Sequence, residues 1–194
     1  LNFTLITNNS RILSTENLYF TAVGQSTDAD GNTTLTMRLH TNIEDCYMDV
    51  VYTLPADDYM VSMSIQPHNM QWALAQNMAA LEMHWNQMIP QQEKGRKFEE
   101  KYAQLQYMFV GGDIEKLSEV KADRAKESAR LKWIGYKDQF FSTVLIAQDG
   151  FESTQMESTP QNALSRYIKE YKTIASLPFD ITGKHTTDLK YYLG

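Results

Sequence analysis

Much that would narrow the function of a 194-residue chain is missing from this one. A lone cysteine, Cys46, has no partner for an internal disulfide, so cysteine usage does not separate an oxidising compartment from a reducing one. Beside Tyr47 it reads as a small buried hydrophobe. No apolar run approaches the roughly 18 to 20 residues of a membrane-spanning helix, and the longest, near Phe140 to Ala147, has the length of a strand. The chain therefore reads as having no transmembrane segment, and its first residues show no charged-then-apolar leader. Basic charge is in deficit: a net charge of -6 argues against the concentrated cationic surface that a nucleic-acid partner requires. There is no Gly-rich phosphate loop, no Cys/His metal spacing and no Gly-x-Ser-x-Gly nucleophile turn. No repeat, low-complexity tract or Pro/Gly-rich linker divides the chain.

What is present is ordinary globular material, 42% hydrophobic and 22% charged, enough for one sizeable core. It is arranged as short alternating segments between turn residues, the pattern of an antiparallel β-protein. Thr33 to His40 sets Leu35, Met37 and Leu39 against Thr34, Thr36 and Arg38. Tyr47 to Leu54 and Tyr59 to Gln66 are aromatic and β-branched runs joined by Pro55-Ala56-Asp57-Asp58, a turn that suits a hairpin. Ala79 to Gln87 puts Leu81, Met83 and Trp85 on one side and Glu82, His84 and Asn86 on the other, a period that no helix produces. Leu131 to Tyr136 and Gln139 to Ala147 read as two further strands, the second closed by the turn residues Asp149-Gly150. Glu93 to Ala103 reads as a short helix. Periodicity leaves strand or helix open at 113–132, where Ile114, Leu117 and Val120 recur every third residue, and at 163–174, where Leu164, Tyr167, Ile168 and Tyr171 fall at helical offsets. So many one-faced strands favour two packed sheets over one open sheet.

The segment Trp133-Ile134 followed by Lys137-Asp138-Gln139-Phe140-Phe141-Ser142-Thr143-Val144-Leu145-Ile146-Ala147 and Asp149-Gly150-Phe151 resembles part of the large periplasmic domain of the YidC membrane-protein insertases, in the form found in the Bacteroides group. Three more stretches agree in order: Tyr52-Thr53-Leu54-Pro55 with Tyr59-Met60-Val61, Gly111 to Ser118, and Leu189 to Gly194. The resemblance runs over the whole chain but begins partway into the family's domain, without its opening strands. It implies an all-β, twisted β-supersandwich of the galactose-mutarotase type, with mostly antiparallel strands and a few short helices, as a single periplasmic domain over residues 1–194. It also implies a short strand near Ile114 to Val120, an exposed charged connection from Lys121 to Arg130, and a strand from 163–174 running into Ser176-Leu177-Pro178-Phe179.

The function that the resemblance implies is accessory: a docking and scaffolding domain on the periplasmic side of the inner membrane. Its implied partners are Sec translocon components such as SecDF, nascent membrane proteins, and the transmembrane domain of the same polypeptide. The family's membrane helices and groove charge match no position here, so no catalytic, cofactor-binding or metal-binding residue is assigned and the chain is read as no enzyme.

The alternative is a carbohydrate-binding or mutarotase-like periplasmic protein. Anomeric proton transfer needs a carboxylate opposite a histidine, and His40, His68, His84 and His185 qualify by type, with Glu82 two residues from His84 on the same strand face. Trp72, Trp85 and Trp133 would supply stacking surfaces, although strand tryptophans mostly belong to cores. Asp28-Ala29-Asp30-Gly31-Asn32 has the look of a calcium loop but lacks the downstream glutamate and reads as a turn. Glu16 to Phe20 reads as chain entering a strand. Of the ten methionines, Met60, Met63, Met70, Met78, Met83 and Met88 concentrate between the middle strands. Most such side chains fill cores; exposed ones would suit a cleft that accepts varied apolar partners.

Overall fold

The computed structural model describes residues 1–194. A hairpin of β1 (Asn2–Ile6) and β2 (Ile12–Ser14) comes first, and then four long strands: β3 (Phe20–Thr27), β4 (Thr33–His40), β5 (Tyr47–Leu54) and β6 (Met60–His68). β7 (Ala80–Pro90) and the helix α1 (Arg96–Tyr102) lead to β8 (Gln104–Phe109), β9 (Ile114–Lys116), β10 (Asp123–Glu127) and β11 (Leu131–Lys137). The chain ends on β12 (Ser142–Pro160), β13 (Tyr167–Pro178) and β14 (Thr187–Leu193). Every pairing is antiparallel. No helix is long and apolar enough to cross a membrane.

The hydrogen-bonded strands form one 14-stranded sheet, yet two faces pack on each other as a sandwich. β12 makes both statements true. Its first part pairs with β11 and β14, and its last part pairs with β10 and β13. Between them the strand turns at Gly150 (φ 81°) and Ser153 (φ 46°), and the register against β11 and β13 slips at the same place. One half of the fold is thus β2-β1-β7-β13-β12 with β10 at the edge; the other runs from β9 and β8 through β11, β12, β14, β6, β5 and β4 to β3. Asp149-Gly150 therefore bends a continuous strand where turn chemistry suggested an end, because a left-handed residue can kink a ladder without breaking it. A side chain at Gly150 would also meet the aliphatic part of Arg130 and approach Leu131 O to 3.1 Å. Gly150→Ala is expected to lose about 1–2 kcal/mol in urea unfolding; unchanged stability would show that the bend does not depend on glycine.

Other expectations shift in detail. The strand expected over Ile114 to Val120 keeps only three residues, and the expected connection from Lys121 to Arg130 contains β10, whose polar Asp123–Glu127 pairs along the far part of β12. An edge strand needs no apolar alternation when one flank is solvent, which is why this one was not visible as a pattern. The second β11–β12 strand begins at Ser142, not Gln139, because Asp138 to Phe141 form a turn. Of the 163–174 region, residues 167–174 belong to β13 while 163–166 form a turn, and the helix is limited to Arg96–Tyr102.

The core runs between the halves. Trp85 on β7 stacks on Tyr136 of β11 with centroids 3.8 Å apart, and Tyr171 of β13 lies 5.0 Å from the Tyr136 ring. The Tyr136 hydroxyl donates to the Trp85 carbonyl (2.9 Å) and pairs with Thr173 Oγ1 (2.7 Å). Burial pushes the Tyr136 and Tyr171 phenols far above their ordinary pKa, so both stay neutral.

Candidate functional site

The clearest recess for a partner lies where the sandwich opens between β1 and the inner face of β3 to β6 and β14. Register builds it. Met37 sits opposite Val50, Tyr52 opposite Met63, and Val61 opposite Tyr191, so alternate residues of four strands point to one side. Phe3 and Phe20 close it from β1 and β3, and the cleft they form measures about 450 Å³. Eleven of its thirteen lining residues are apolar; Thr15 and Glu16 are the others. Thr15 Oγ1 accepts the Phe3 N–H (2.9 Å), and Glu16 accepts from Asn2 Nδ2 (3.2 Å), so both polar groups are engaged with the wall. Burial raises the pKa of Tyr52 and of Tyr191. An apolar recess of this size, with the Glu16 carboxylate held at its wall by Asn2, can hold side chains of a partner.

The methionines divide between core and cleft. Met70, Met78 and Met83 are buried in the core, Met60 is half-buried and Met88 is exposed on β7. Met63 and Met48 are buried core residues that also floor the cleft, with half-buried Met37 beside them. Met37 and Met48 were not singled out by sequence spacing, since β4 and β5 place them beside Met63 only through cross-strand pairing. Cys46 is buried with Sγ 3.8 Å from Met70 Sδ.

The four histidines do not converge. His84 Nε2 lies 2.9 Å from Glu82 Oε1, and Thr4 Oγ1 on β1 lies 3.3 Å from each of them. This trio occupies a partly exposed sheet face and lines none of the larger recesses. His68 stacks on Tyr47, His185 donates its backbone N–H to Asp180, and His40 borders a second recess, about 480 Å³, with Asn8, Arg11 and Asn42. The tryptophans separate likewise: Trp85 is core, Trp133 is half-buried and Trp72 is exposed in a short turn of helix. The Asp28 to Asn32 loop is a turn whose carboxylate serves its own backbone. Asp28 Oδ1 accepts from Asp30 N and Asn32 N, and Oδ2 accepts from Asn32 Nδ2, an arrangement that lowers the Asp28 pKa. No group of three or more His, Cys, Asp or Glu side chains is placed to hold a metal ion.

Comparison with known proteins agrees on the family. A family model described as the YidC periplasmic domain matches residues 1–194. A protein named membrane protein insertase YidC from Parabacteroides distasonis is 48% identical over 195 residues, covering 100% of this chain and 30% of that protein. Its namesake from Azobacteroides pseudotrichonymphae is 42% identical over 193 residues, again with 100% of this chain and 30% of the relative. The chain thus spans about 30% of the length of these curated relatives. Among solved structures, the galactosidase domain of the α-galactosidase-sucrose kinase AgaSK superposes with a TM-score of 0.50 at 8% identity, covering 99% of this chain and 29% of that one. That likeness concerns the fold alone.

Proposed function

The chain belongs to the YidC periplasmic domain family, and on that premise we propose that it is the accessory, non-catalytic docking domain of an inner-membrane protein insertase, held on the periplasmic side. Residues 1–194 act as one domain in this reading. It is joined to the transmembrane part of the same polypeptide, and the surfaces it offers receive Sec components such as SecDF and emerging membrane proteins. The observation that carries the reading is the family match over the full chain, together with relatives whose name is that of an insertase. The apolar cleft supports it, because a recess with half-buried Met37 on its wall and Met48 and Met63 beneath suits apolar segments of a partner. The separation of His84-Glu82 from the cleft and the burial of Trp85 weigh against the carbohydrate reading.

The test is photo-crosslinking in the full-length membrane protein, with the reactive group placed at Tyr52 on the cleft wall. An adduct with a nascent membrane protein or a Sec component is expected, reduced about tenfold by Val61→Asp, which puts an unpaired carboxylate into the recess. Equal crosslinking from Tyr52 with and without Val61→Asp would remove the cleft from the proposal.

A further inference from the structure

The rim at which β11 passes to β12 carries exposed aromatic side chains on a rigid mount. Asp138 is buried, and its Oδ1 accepts the backbone N–H groups of Phe140 (2.7 Å) and Phe141 (2.6 Å), while Asp138 N–H donates to the Phe141 carbonyl (2.9 Å). The turn is closed from inside, and Phe140 and Phe141 remain 54% and 59% exposed. Two phenylalanines displayed at the tip of a fixed turn are a costly arrangement for a surface that meets only water.

Hydrogen-bond partners show what lies alongside. Lys137 pairs with Ser142 on one side and with Gln104, the first residue of β8, on the other. Gln104 follows α1, on which Phe98 and Tyr102, four residues apart, hold their rings 4.9 Å from each other; both are exposed. Lys97, Lys101 and Lys137 are exposed around them. Glu100, on the same helix, is engaged by Arg96 (2.7 Å), and Glu99 is buried, accepting from the backbone of Gln92 and Glu93. The acidic turns at 28–32 and 55–58 leave the same end of the sheet from β3 to β6, beyond β14. In a chain of net charge -6, Lys97, Lys101 and Lys137 stand exposed beside the four exposed aromatics, with Glu93 the exposed carboxylate on the approach to α1. Aromatic rings with lysines beside them match the headgroup level of a bilayer, where the ring body leaves water and the ammonium meets anionic lipid.

We propose that the Phe140-Phe141 turn and the α1 aromatic pair form a membrane-contact surface that seats this domain on the bilayer, with Lys97, Lys101 and Lys137 against anionic headgroups. The choice of a lipid surface rests on the insertase reading above. It is also favoured by the relatives: the proteins named as membrane protein insertases extend well beyond the 30% of their length that this chain matches.

Co-sedimentation of the 194-residue chain with vesicles of phosphatidylethanolamine and phosphatidylglycerol tests the proposal. Binding is expected to fall about tenfold or more in the double variant Phe140→Ser, Phe141→Ser. Lys137→Glu is expected to weaken it and to flatten its dependence on salt. Circular dichroism and the urea midpoint identify any variant that has lost its fold, and the exposed Phe98→Ser with Tyr102→Ser gives a second pair at the same rim. No vesicle binding by the unsubstituted chain, or equal binding by both folded double variants, overturns the proposal. So does a concentration-dependent dimer that the Phe140 and Phe141 changes abolish without any lipid effect, which would assign the rim to a second copy. Vesicle binding is read with no insertase partner present, so its failure and the failure of cleft crosslinking are separate results.

Discussion

Replacing Trp85 with alanine is expected to remove about 3–5 kcal/mol of folding stability, measured by urea unfolding. Trp85 is 2% exposed and lies between the halves of the sandwich, stacked on Tyr136 at 3.8 Å and edge-on to Tyr191 at 5.9 Å. Its loss opens a cavity walled by long strands, whose ladders limit how far the walls can collapse. Tyr136→Phe keeps the ring and removes the hydroxyl that joins β11 to the Trp85 carbonyl and to Thr173, so a loss of about 1–2 kcal/mol is expected there. The two changes should not add, because they act on one contact. A loss below about 1 kcal/mol for Trp85→Ala would mean that the halves are not clamped at this point.

The second large effect is on the pH dependence of stability and comes from Lys169. This side chain is 1% exposed, and its Nζ donates to the carbonyl oxygens of Ala103 (2.5 Å) and Glu119 (2.7 Å). Burial lowers its pKa to about 8 from an ordinary 10.5, against a partial counter-effect from the carboxylates of Glu119 and Glu100. Between those two values the unfolded chain binds more protons than the folded one, so the contribution of Lys169 to stability rises with pH. It is fully present above 10.5 and lost as pH falls through about 8. The neutral amine keeps two N–H donors, enough for both carbonyls. The stability difference between the unsubstituted chain and Lys169→Met is therefore expected to shift toward the unsubstituted chain by on the order of 3 kcal/mol across this window. A difference that stays flat with pH would mean that water reaches the ammonium.

Lys169 also shows why part of this molecule was illegible in one dimension. Alternation along β13 would send a lysine that follows buried Ile168 to solvent, but the register slips between Tyr167 and Lys169, and both Ile168 and Lys169 face inward. The same limit applies to β12. Its composition announced a strand, and Asp149-Gly150 announced its end, whereas pairing with four other strands carries it to Pro160. Phe140 and Phe141 read as the start of a strand because aromatic residues favour one; the buried carboxylate of Asp138 holds them in a turn instead. An aspartate two and three residues before the N–H groups that it accepts was the signal available for that turn. For the cleft there was less to see, since Met37, Met48 and Met63 become neighbours only through pairing of β4, β5 and β6.

The sequence by itself determined the local features. Alternation in β4 and β7 and an aromatic, β-branched run in β5 prescribed strands, and ordered motifs prescribed the family whose fold the chain adopts. Such information is carried by neighbours a few residues apart, where covalent geometry decides which side chains share a face. The tertiary structure alone decided the joining of two half-sheets through one bent strand, the inward turn of a lysine and the enclosure of an apolar cleft. It also decided the exposure of Phe98, Tyr102, Phe140 and Phe141. Each of these depends on registers between strands far apart in sequence, where a slip of one residue reverses every side chain, and the burial of the whole core selects the register that survives.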